Sequence, residues 1–343
     1  MELQHRDSLS DGYRARRTIA ATLLALMAVA VGRGQEIVMP PWLKAGDRIA
    51  VVSPSSTPDS MTVVRGCQTL REWGYEPVVG ANALKQHHGF AGTADERARD
   101  LLWALSDSTI RAVMCTRGGD GAVQVLQRLP LDVFRRDPKW IIGFSDATAL
   151  HSAAVQAGMM SIHGSMCHAI SSMQGRDTVS VTLRRLLQGQ LPTYQVAPHP
   201  LDQTGTATGM LVGGNLSVFC GLAGSDYDFL NRAYTEDLIL FFEDTGEAMT
   251  KVDRMLHLLE IRGILPRLKG IVVGRFSDYK RPENGFTDMY EMLHEYLQHY
   301  DIPVCYAFPV GHARLNNFPM VEGCPVRLTV TRDGTQLQFI LPN

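Results

Sequence analysis

Ser145 lies between a short apolar run and a helix-like stretch, in the sequence Gly143-Phe144-Ser145-Asp146-Ala147. This sequence is close to the G-x-S-x-G turn, which exposes a nucleophilic serine at a strand-to-helix corner, with alanine in the last place. At such a corner, the backbone N–H groups of the helix N-terminus can hold a developing oxyanion. The alternative is that Ser145 or Asp146 only caps the helix. The motif therefore indicates a candidate nucleophile.

A serine nucleophile needs a general base, and His312 is the histidine that the sequence places best. It follows an apolar run that ends at Phe308, and Gly311 precedes it in the sequence P-V-G-H. A glycine-flanked histidine at a strand end can reach across a cleft. A purely structural role is the alternative, because single histidines in proteins often have one.

The third group of such a triad is a carboxylate that orients the histidine, and Glu243 is our candidate. It ends the strongly apolar run Leu238 to Phe242, where an unpaired carboxylate would be costly to bury. Asp244 and Glu247 follow closely and are alternatives for the same role.

A second glycine-rich loop has the sequence Arg117-Gly118-Gly119-Asp120-Gly121. Its glycine density is typical of a backbone that approaches a ligand. It matches neither G-x-x-x-x-G-K-[ST] nor G-x-G-x-x-G, the patterns of phosphate-binding loops. We therefore expect this loop to donate N–H groups to an oxyanion, or else to be a tight turn without a chemical role.

The elements before and after these loops alternate between strand and helix. Such repeats predict a mostly parallel sheet with helices on both faces. Ligands of these sheets bind beyond the carboxyl ends of the strands, where both glycine-rich loops lie. The predicted strands are 48–52, 76–79, 110–116 and 140–142, and the predicted helices are 61–73, 94–105, a helix ending at 129 and a helix ending near 157.

A polar stretch from Gln174 to about Thr208 predicts an interdomain connection. We expect an N-terminal domain at 41–170 that carries the serine, a linker at 171–207, and a C-terminal domain at 208–343 that carries the glutamate and the histidine. The C-terminal half predicts strands at 238–242, 270–273 and 304–308, helices at 251–261 and 287–299, and a closing hairpin at 326–340 that turns at Asp333-Gly334.

The segment 1–34 differs from the rest of the chain. A basic stretch at 14–17 precedes an uncharged run at 18–32, which contains an A-x-A pattern at 28–30. These features are typical of a secretory signal peptide, and the run is short for a membrane span. We expect a periplasmic or otherwise exported protein. The alternatives are an uncleaved anchor and an over-extended start ahead of a cytoplasmic enzyme.

Composition narrows the function further. The chain has 343 residues, which is enough for two domains, and a formal net charge of −2. With this charge and no Lys/Arg cluster in the folded part, we expect no nucleic-acid partner. The six cysteines form no C-x-x-C pair, so a zinc or redox site is not supported. No motif implies a metal or an organic cofactor.

In combination, the motifs resemble the LD-carboxypeptidase (muramoyltetrapeptide carboxypeptidase) family over roughly Pro41 to Ile340. This family also includes the microcin C self-immunity hydrolases. The motifs stand in the family's order: S-P-S-S at 53–56, R-G-G-x-G at 117–121, G-F-S-D at 143–146, H-G-x-M at 163–166, G-G-N-L-S at 213–217, E-D-x-x-E at 243–247 and P-V-G-H at 309–312.

The resemblance implies a flavodoxin-like N-terminal domain and a smaller, barrel-like α/β C-terminal domain, usually in a homodimer. It implies that Ser145 is the nucleophile, with Glu243 and His312 completing the triad. Backbone N–H groups of Gly119 and Asp146 are implied as the oxyanion hole. We expect substrate contacts from Ser53, Pro54, Arg117, Gly118 and Asn215.

The implied activity is that of a serine carboxypeptidase that releases terminal D-alanine from peptidoglycan tetrapeptides during muropeptide recycling. One alternative is an amidase of the same fold that cleaves a peptide-nucleotide toxin. The other is a protein that binds a muropeptide without cutting it. Asp120 stands where the family commonly has an aromatic residue, so we expect altered substrate binding near this negative charge.

Overall fold

The computed structural model describes residues 37–283, 285–313 and 317–341. The signal-like segment at 1–34 lies outside the described residues. Within the described part of the chain, no helix has the length and apolar character needed to cross a membrane.

Strands alternate with helices through the first half and again through much of the second. The strands are β1 (Arg48–Val52), β2 (Glu76–Val79), β3 (Ile110–Cys115), β4 (Trp140–Gly143), β5 (Ser161–His163), β6 (Thr193–Val196), β7 (Gly205–Asn215), β8 (Leu238–Thr245), β9 (Gly270–Ser277), β10 (Val304–Cys305), β11 (Met320–Glu322), β12 (Pro325–Thr331) and β13 (Gly334–Phe339).

The helices are α1 (Ser60–Glu72), α2 (Ala94–Ser106), α3 (Ala122–Leu126), α4 (Val133–Arg136), α5 (Thr148–Gln156), α6 (Cys167–Ser172), α7 (Thr178–Leu187), α8 (Leu216–Cys220), α9 (Met249–Ile261) and α10 (Met289–Leu297). Short 3₁₀ helices span Ser145–Ala147, Phe229–Tyr234 and Leu265–Arg267.

The first sheet has the strand order β11-β5-β4-β3-β1-β2. The neighbours from β5 to β2 are parallel, and β11 is antiparallel to β5. The order β2-β1-β3-β4-β5 is that of flavodoxin-like folds. The mostly parallel sheet expected from the sequence is therefore confirmed, with one added antiparallel edge strand.

Local sequence explains where these elements begin. Thr93 caps α2 through a reciprocal pair of contacts, in which Thr93 Oγ1 accepts from the Glu96 N–H at 3.3 Å and the Glu96 carboxylate accepts from the Thr93 N–H at 2.9 Å. This capping box satisfies two of the free N–H groups at the helix start. The helix predicted at 94–105 therefore begins directly after its N-cap, Thr93.

The stretch between the two sheets is more regular than expected, because it contains α7 and β6. Asp177 caps α7, and apolar residues follow on one face at Val179, Leu183 and Leu186. This spacing is typical of a helix, but the prolines that follow it favoured the prediction of an irregular connection.

The second sheet has the order β10-β9-β8-β7-β12-β13-β6, parallel from β10 to β7 and antiparallel beyond. Gln203, which follows β6 at one edge, exchanges backbone hydrogen bonds of 2.8 and 3.1 Å with Val304 at the other edge. This contact bends the sheet towards closure, as expected for a barrel-like domain. The predicted closing hairpin is confirmed as β12 and β13.

One hydrophobic cluster joins the two sheets. It includes Trp140 and Ile142 from the first sheet and Leu211 and Phe241 from the second, all of them fully buried. This shared core holds the carboxyl ends of β3, β4 and β8 in fixed relation, and the glycine-rich loops and Glu243 lie at those ends.

Candidate active site

The structure brings together the serine, histidine and glutamate that the sequence singled out. His312 Nε2 lies 2.9 Å from Ser145 Oγ, and His312 Nδ1 lies 2.7 Å from Glu243 Oε2. These three residues come from the end of β4, the loop after β10 and the end of β8. Both distances are those of good hydrogen bonds, and their arrangement is that of a nucleophile, a base and an orienting carboxylate.

Ser145 occupies a strained corner. Its φ is +63°, in the left-handed region that non-glycine residues rarely adopt. Phe144 before it is extended, and a 3₁₀ turn begins at the serine and leads into α5. Such strain at a strand-to-helix turn is the geometry of a nucleophile elbow, which keeps the hydroxyl exposed.

The glycines of the loop after β3 allow it to lie against this serine. A Cβ on Gly118 would lie 3.0 Å from Ser145 Oγ, and a Cβ on Gly119 would lie 2.2 Å from Ser56 Oγ. Gly119 also has a φ of +112°, which favours glycine. The loop therefore approaches the nucleophile as an oxyanion loop must, and the donor role of the Gly119 N–H stays a prediction.

The Asp146 side chain connects the serine turn to this loop. Asp146 Oδ2 accepts a hydrogen bond of 2.8 Å from the Ala122 N–H, at the start of α3. Burial raises the pKa of this carboxyl group. The side chain thus has a structural contact of its own, and the predicted oxyanion donor is its backbone N–H, which remains untested.

Among the three acidic candidates, Glu243 is the one that contacts the histidine. It is fully buried, and Asn215 Nδ2 donates to its second oxygen over 3.5 Å. Asp244 instead accepts from the backbone N–H groups of Ser217 and Thr245 at 2.8 and 2.7 Å. Both oxygens of the Asp244 carboxylate are therefore bonded to backbone amides and not to the histidine.

The third candidate, Glu247, forms a 3.0 Å ion pair with Lys251 one helical turn away. Its carboxylate is thus engaged at the start of α9 rather than with the histidine.

The surroundings of His312 raise its pKa, which is favourable for a general base. Burial by itself lowers the pKa of this histidine, but the hydrogen bond and charge of Glu243 outweigh it, with Asp244 and Asp278 adding to the effect. The pKa of His312 therefore lies above its ordinary value of 6.5. A carboxylate that stabilises the imidazolium in this way favours proton uptake from the serine.

A cavity of about 730 Å³ opens beside Ser145 and His312. Its wall includes Arg117, Gly118 and Gly119. Two of the predicted substrate residues, Arg117 and Gly118, therefore line the cavity. The rest of the lining is mostly contributed by α6, the start of α7 and the loop around the histidine: Phe144, Ser165, Met166, His168, Ala169, Ser172, Met173, Asp177, Val179, Ser180, Thr245, Gly311, Ala313 and Asn317.

Two other predicted substrate residues lie away from this wall. Ser53 Oγ is buried, donates to Ala83 O at 2.6 Å and lies 2.7 Å from Thr116 Oγ1. Pro54 is buried behind the loop, and its carbonyl accepts from Arg97 at 2.6 Å. Substrate contacts from Ser53 and Pro54 find no support in this geometry, because both are used to shape the loop.

Asn215 also lies outside the cavity wall. Its Oδ1 accepts from the Val218 N–H at 3.2 Å and so caps α8, while its Nδ2 reaches towards Glu243. The contacts of Asn215 are those of a residue that positions the glutamate rather than one that touches substrate.

Comparison with known proteins identifies the relationship. The family model for the LD-carboxypeptidase N-terminal domain matches residues 49–164, and that for the LD-carboxypeptidase C-terminal domain matches residues 208–328. A protein of Synechocystis sp. to which carboxypeptidase activity is attributed is 34% identical over 281 residues, covering 80% of this chain and 89% of the relative.

The chain belongs to the LD-carboxypeptidase family. A Bacillus subtilis protein to which murein peptide carboxypeptidase activity is attributed is 33% identical over 284 residues, covering 80% of this chain and 86% of the relative. The crystal structure of muramoyltetrapeptide carboxypeptidase from Oxalobacter formigenes superposes with a TM-score of 0.76 at 25% identity, covering 86% of this chain and all of that one. The chain is therefore a peptidase with the fold of this family.

Within this LD-carboxypeptidase fold, Arg97 is a residue that the sequence argument missed. Its buried guanidinium donates to Pro54 O at 2.6 Å, to Gly121 O at 2.7 Å and to Gln124 Oε1 at 2.6 Å. It therefore joins the loop after β1 to the loop after β3. Arg97 shares the buried face of α2 with Leu101, and an arginine on an apolar face is the signal that could have revealed it.

Asn317 and His163 support the loop that carries His312, a role that the sequence did not reveal. Asn317 Oδ1 accepts from the Gly311 N–H at 3.0 Å and lies 3.1 Å from His163 Nε2. His163 is fully buried in β5 and belongs to the H-G-x-M motif. This pair holds the backbone immediately before His312.

Elsewhere in the described chain, no group of His, Cys, Asp and Glu side chains is arranged to hold a metal ion.

Proposed function

We propose that this protein is a serine-type LD-carboxypeptidase that releases terminal D-alanine from murein tetrapeptides. The observation that carries the proposal is the continuous line of contacts from Ser145 Oγ through His312 to Glu243, at the edge of a cavity. The murein peptide activity attributed to relatives supports the choice of substrate.

The reaction proceeds in two stages. His312 Nε2 takes the proton of Ser145 Oγ as the oxygen attacks the scissile carbonyl carbon, and Glu243 stabilises the imidazolium that forms. The C–N bond then breaks, and His312 gives the proton to the departing amine of D-alanine. In the second stage, His312 deprotonates a water molecule that cleaves the acyl-enzyme ester, which releases the tripeptide and restores the serine.

The oxyanion is held by the backbone N–H groups of Gly119 and Asp146 in this proposal. The close approach of the loop after β3 to the serine supports the first donor, and the start of the 3₁₀ turn supports the second. Donors arranged in advance in this way stabilise the charge that develops in the transition state.

Arg117 binds the terminal carboxylate that a carboxypeptidase must recognise. It is the residue with a permanent positive charge in the described wall of the cavity, and its side chain is exposed. One of its N–H groups reaches Thr57 O over 3.4 Å, which leaves the others free for a carboxylate. The neighbouring Asp120, also exposed, adds a negative charge that restricts how acidic a substrate can be at this edge.

The test is mass spectrometry of the tetrapeptide L-Ala-γ-D-Glu-meso-diaminopimelate-D-Ala after incubation with purified protein. We expect loss of one alanine, and no loss from the same peptide with L-Ala at its end. Ser145→Ala abolishes the reaction, whereas Ser172→Ala, which alters another serine of the same cavity, retains it. An intact tetrapeptide beside a cleaved peptidyl nucleotide would contradict the proposal and favour the toxin-cleaving branch.

We further propose that the protein acts in peptidoglycan recycling outside the cytoplasm, as a homodimer. The signal-like pattern at 1–34 supports export, and the family resemblance supports the dimer. Fractionation of bacterial cells that express the full chain, with N-terminal sequencing of the product, tests export. Light scattering tests the dimer. A cytoplasmic, uncleaved product would contradict the export. A monomer in light scattering would contradict the homodimer.

A further inference from the structure

His151 is a buried histidine that the proposed mechanism does not use. It lies in α5, the helix that follows the turn of Ser145, and it is fully buried. Its Nε2 lies 2.9 Å from Gly143 O, and its Nδ1 lies 2.9 Å from Ser161 Oγ. Both ring nitrogens are therefore hydrogen-bonded, one of them to the strand that leads into Ser145.

The partners of His151 fix the position of its ring hydrogen. A carbonyl oxygen only accepts, so Nε2 must donate to Gly143 O, and Nδ1 is left to accept from the Ser161 hydroxyl. Burial lowers the pKa of His151 to about 4, so the ring is neutral near pH 7. His151 is thus oriented by Ser161 and donates its one ring hydrogen to Gly143.

The hydrogen bond from His151 to Gly143 spans the strained turn of Ser145. Gly143 is the last residue of β4, His151 belongs to the helix after the turn, and Ser145 between them has a φ of +63°. Gly143 O also accepts from the Gly164 N–H at 2.8 Å, so two donors hold the strand end. A strained residue keeps its conformation only where its surroundings enforce it. The contact of His151 provides such a constraint, because it joins the strand before the turn to the helix after it.

His151 acts on this turn without touching the reacting groups. It is not among the residues that line the described wall of the cavity, and its ring nitrogens are bonded to Gly143 and Ser161. The strand and the turn are also closely packed, since a Cβ on Gly143 would lie 2.8 Å from Ala147 Cβ. A small movement of Gly143 is therefore transmitted to the backbone of the turn.

We infer that His151 is a positioning residue for the nucleophile. Its hydrogen bond to Gly143 O keeps the turn in the conformation that places Ser145 Oγ 2.9 Å from His312 Nε2. Without this contact the turn relaxes and the hydroxyl moves away from its base, while the walls of the cavity stay in place. The loss is therefore expected in kcat rather than in KM. Because Ser145 is taken as the nucleophile, this role rests on the proposed function.

Three variants change the contact by different amounts. His151→Leu removes both ring nitrogens and leaves the Gly164 N–H as the donor to Gly143 O. His151→Gln is the conservative variant, because its amide N–H can donate at the place of the ring Nε2. Ser161→Ala removes only the hydroxyl that orients the ring.

Ser152→Ala is the matched control. Ser152 is buried in the same helix, and its Oγ accepts from the Phe229 N–H at 3.2 Å. This variant therefore removes a buried hydrogen bond between α5 and the 3₁₀ helix Phe229–Tyr234 and leaves the contact with β4 intact.

Two rates are measured on each variant, below its melting temperature: labelling of Ser145 by a fluorophosphonate and release of D-alanine from the tetrapeptide. His151→Leu should lower the labelling rate and kcat by about 10–100-fold, with KM within about twofold of wild type. His151→Gln should recover most of both rates, and Ser161→Ala should lower them about fivefold. Ser152→Ala should lower the melting temperature and leave both rates within about twofold of wild type.

Unchanged labelling and kcat in His151→Leu or, if that variant does not fold, in Ser161→Ala would overturn the role of His151. An equal loss in Ser152→Ala, or no recovery in His151→Gln, would also overturn it, because the effect would not follow the hydrogen bond to Gly143. In each of these cases, a reactive wild type leaves the proposed function standing.

The two rates also separate the role of His151 from the proposed function. A wild type that is labelled but releases no D-alanine would overturn the proposed substrate, and the labelling rates would still decide the role of His151. A wild type that is not labelled and releases no D-alanine would overturn both.

Discussion

Two histidines contact the same aromatic ring in opposite surroundings. The ring of Phe144 lies 5.2 Å from that of His312 and 5.9 Å from that of His163. The His312 side chain is 19% exposed and hydrogen-bonds the carboxylate of Glu243. His163 is fully buried and contacts the neutral amide of Asn317.

These different surroundings shift the pKa values of the two histidines in opposite directions. The carboxylate keeps the pKa of His312 above 6.5, whereas burial, helped by the neighbouring His151, lowers the pKa of His163 to about 3. His163 is therefore neutral near pH 7, while His312 can take up and release a proton. A partly buried imidazole can act as a base when a carboxylate partner offsets the effect of burial on its pKa.

The two regions are nevertheless connected through Asn317. Its Oδ1 accepts from the Gly311 N–H, so the contact with His163 requires the hydrogen on His163 Nε2. A neutral histidine thus helps to hold the loop that carries the proposed general base, His312. Substitutions at the two histidines separate these two roles.

The largest effect is expected from exchanging each histidine for glutamine. His312→Gln removes the base and should lower kcat by about 10⁴-fold. His163→Gln keeps a donor for Asn317, so kcat should fall less than about tenfold while the melting temperature drops. Steady-state D-alanine release and thermal unfolding measure the two quantities. Similar losses of kcat in both variants would contradict the separation.

A smaller loss is expected from neutralising the orienting carboxylate. Glu243→Gln should lower kcat by about 10³-fold, because the imidazolium loses its charge partner and the tautomer is no longer held. Asp244→Asn is the matched control, since its contacts are with backbone N–H groups, and its kcat should fall less than about tenfold. A larger effect in Asp244→Asn would move the orienting role to that residue.

The pH dependence should report His312 alone. The pKa of this histidine is raised, so its neutral, basic form is present only above a midpoint higher than 6.5. As pH falls through that midpoint, kcat/KM should decline about tenfold per pH unit. His163→Gln should leave the midpoint in place. A midpoint below 6.5 would show that Glu243 does not dominate the histidine's surroundings.

The smallest effect is expected at the connection between the regions. Asn317→Ala leaves the Gly311 N–H and the ring of His163 without their acceptor, which should cost about 1–3 kcal/mol of stability. The loop that carries His312 loosens, and kcat should fall about fivefold, with KM little changed. Denaturant unfolding and steady-state kinetics measure both. An unchanged kcat would show that the loop is held by other contacts.

Much of this arrangement could be predicted from local sequence. The apolar runs at 48–52, 110–116 and 140–142 predicted parallel strands that the structure contains as β1, β3 and β4, with ends that differ by at most one residue. Glu243 could be selected because a carboxylate at the end of a buried strand needs a partner. These signals are local and each has a physical reason.

Other features depend on contacts between distant parts of the chain. β11 has three residues, too few for a period, and pairs with β5 from the other half of the chain. The contacts of Ser53 and Asn215 with neighbouring residues could not be predicted, because sequence proximity to the site does not tell whether a side chain faces the cavity or the loop behind it. Arg97 was missed because its acceptors are carbonyls of two loops far from α2 in sequence.

The most direct test of the Ser145–His312–Glu243 triad is covalent labelling with a fluorophosphonate, read by intact mass and peptide mapping. An activated serine attacks phosphorus and displaces fluoride, so no assumption about the substrate is needed. We expect one adduct, on Ser145, in wild type and in His163→Gln, and none in Ser145→Ala or His312→Ala. An unlabelled wild type, an adduct on another serine, or full labelling of His312→Ala would contradict the triad.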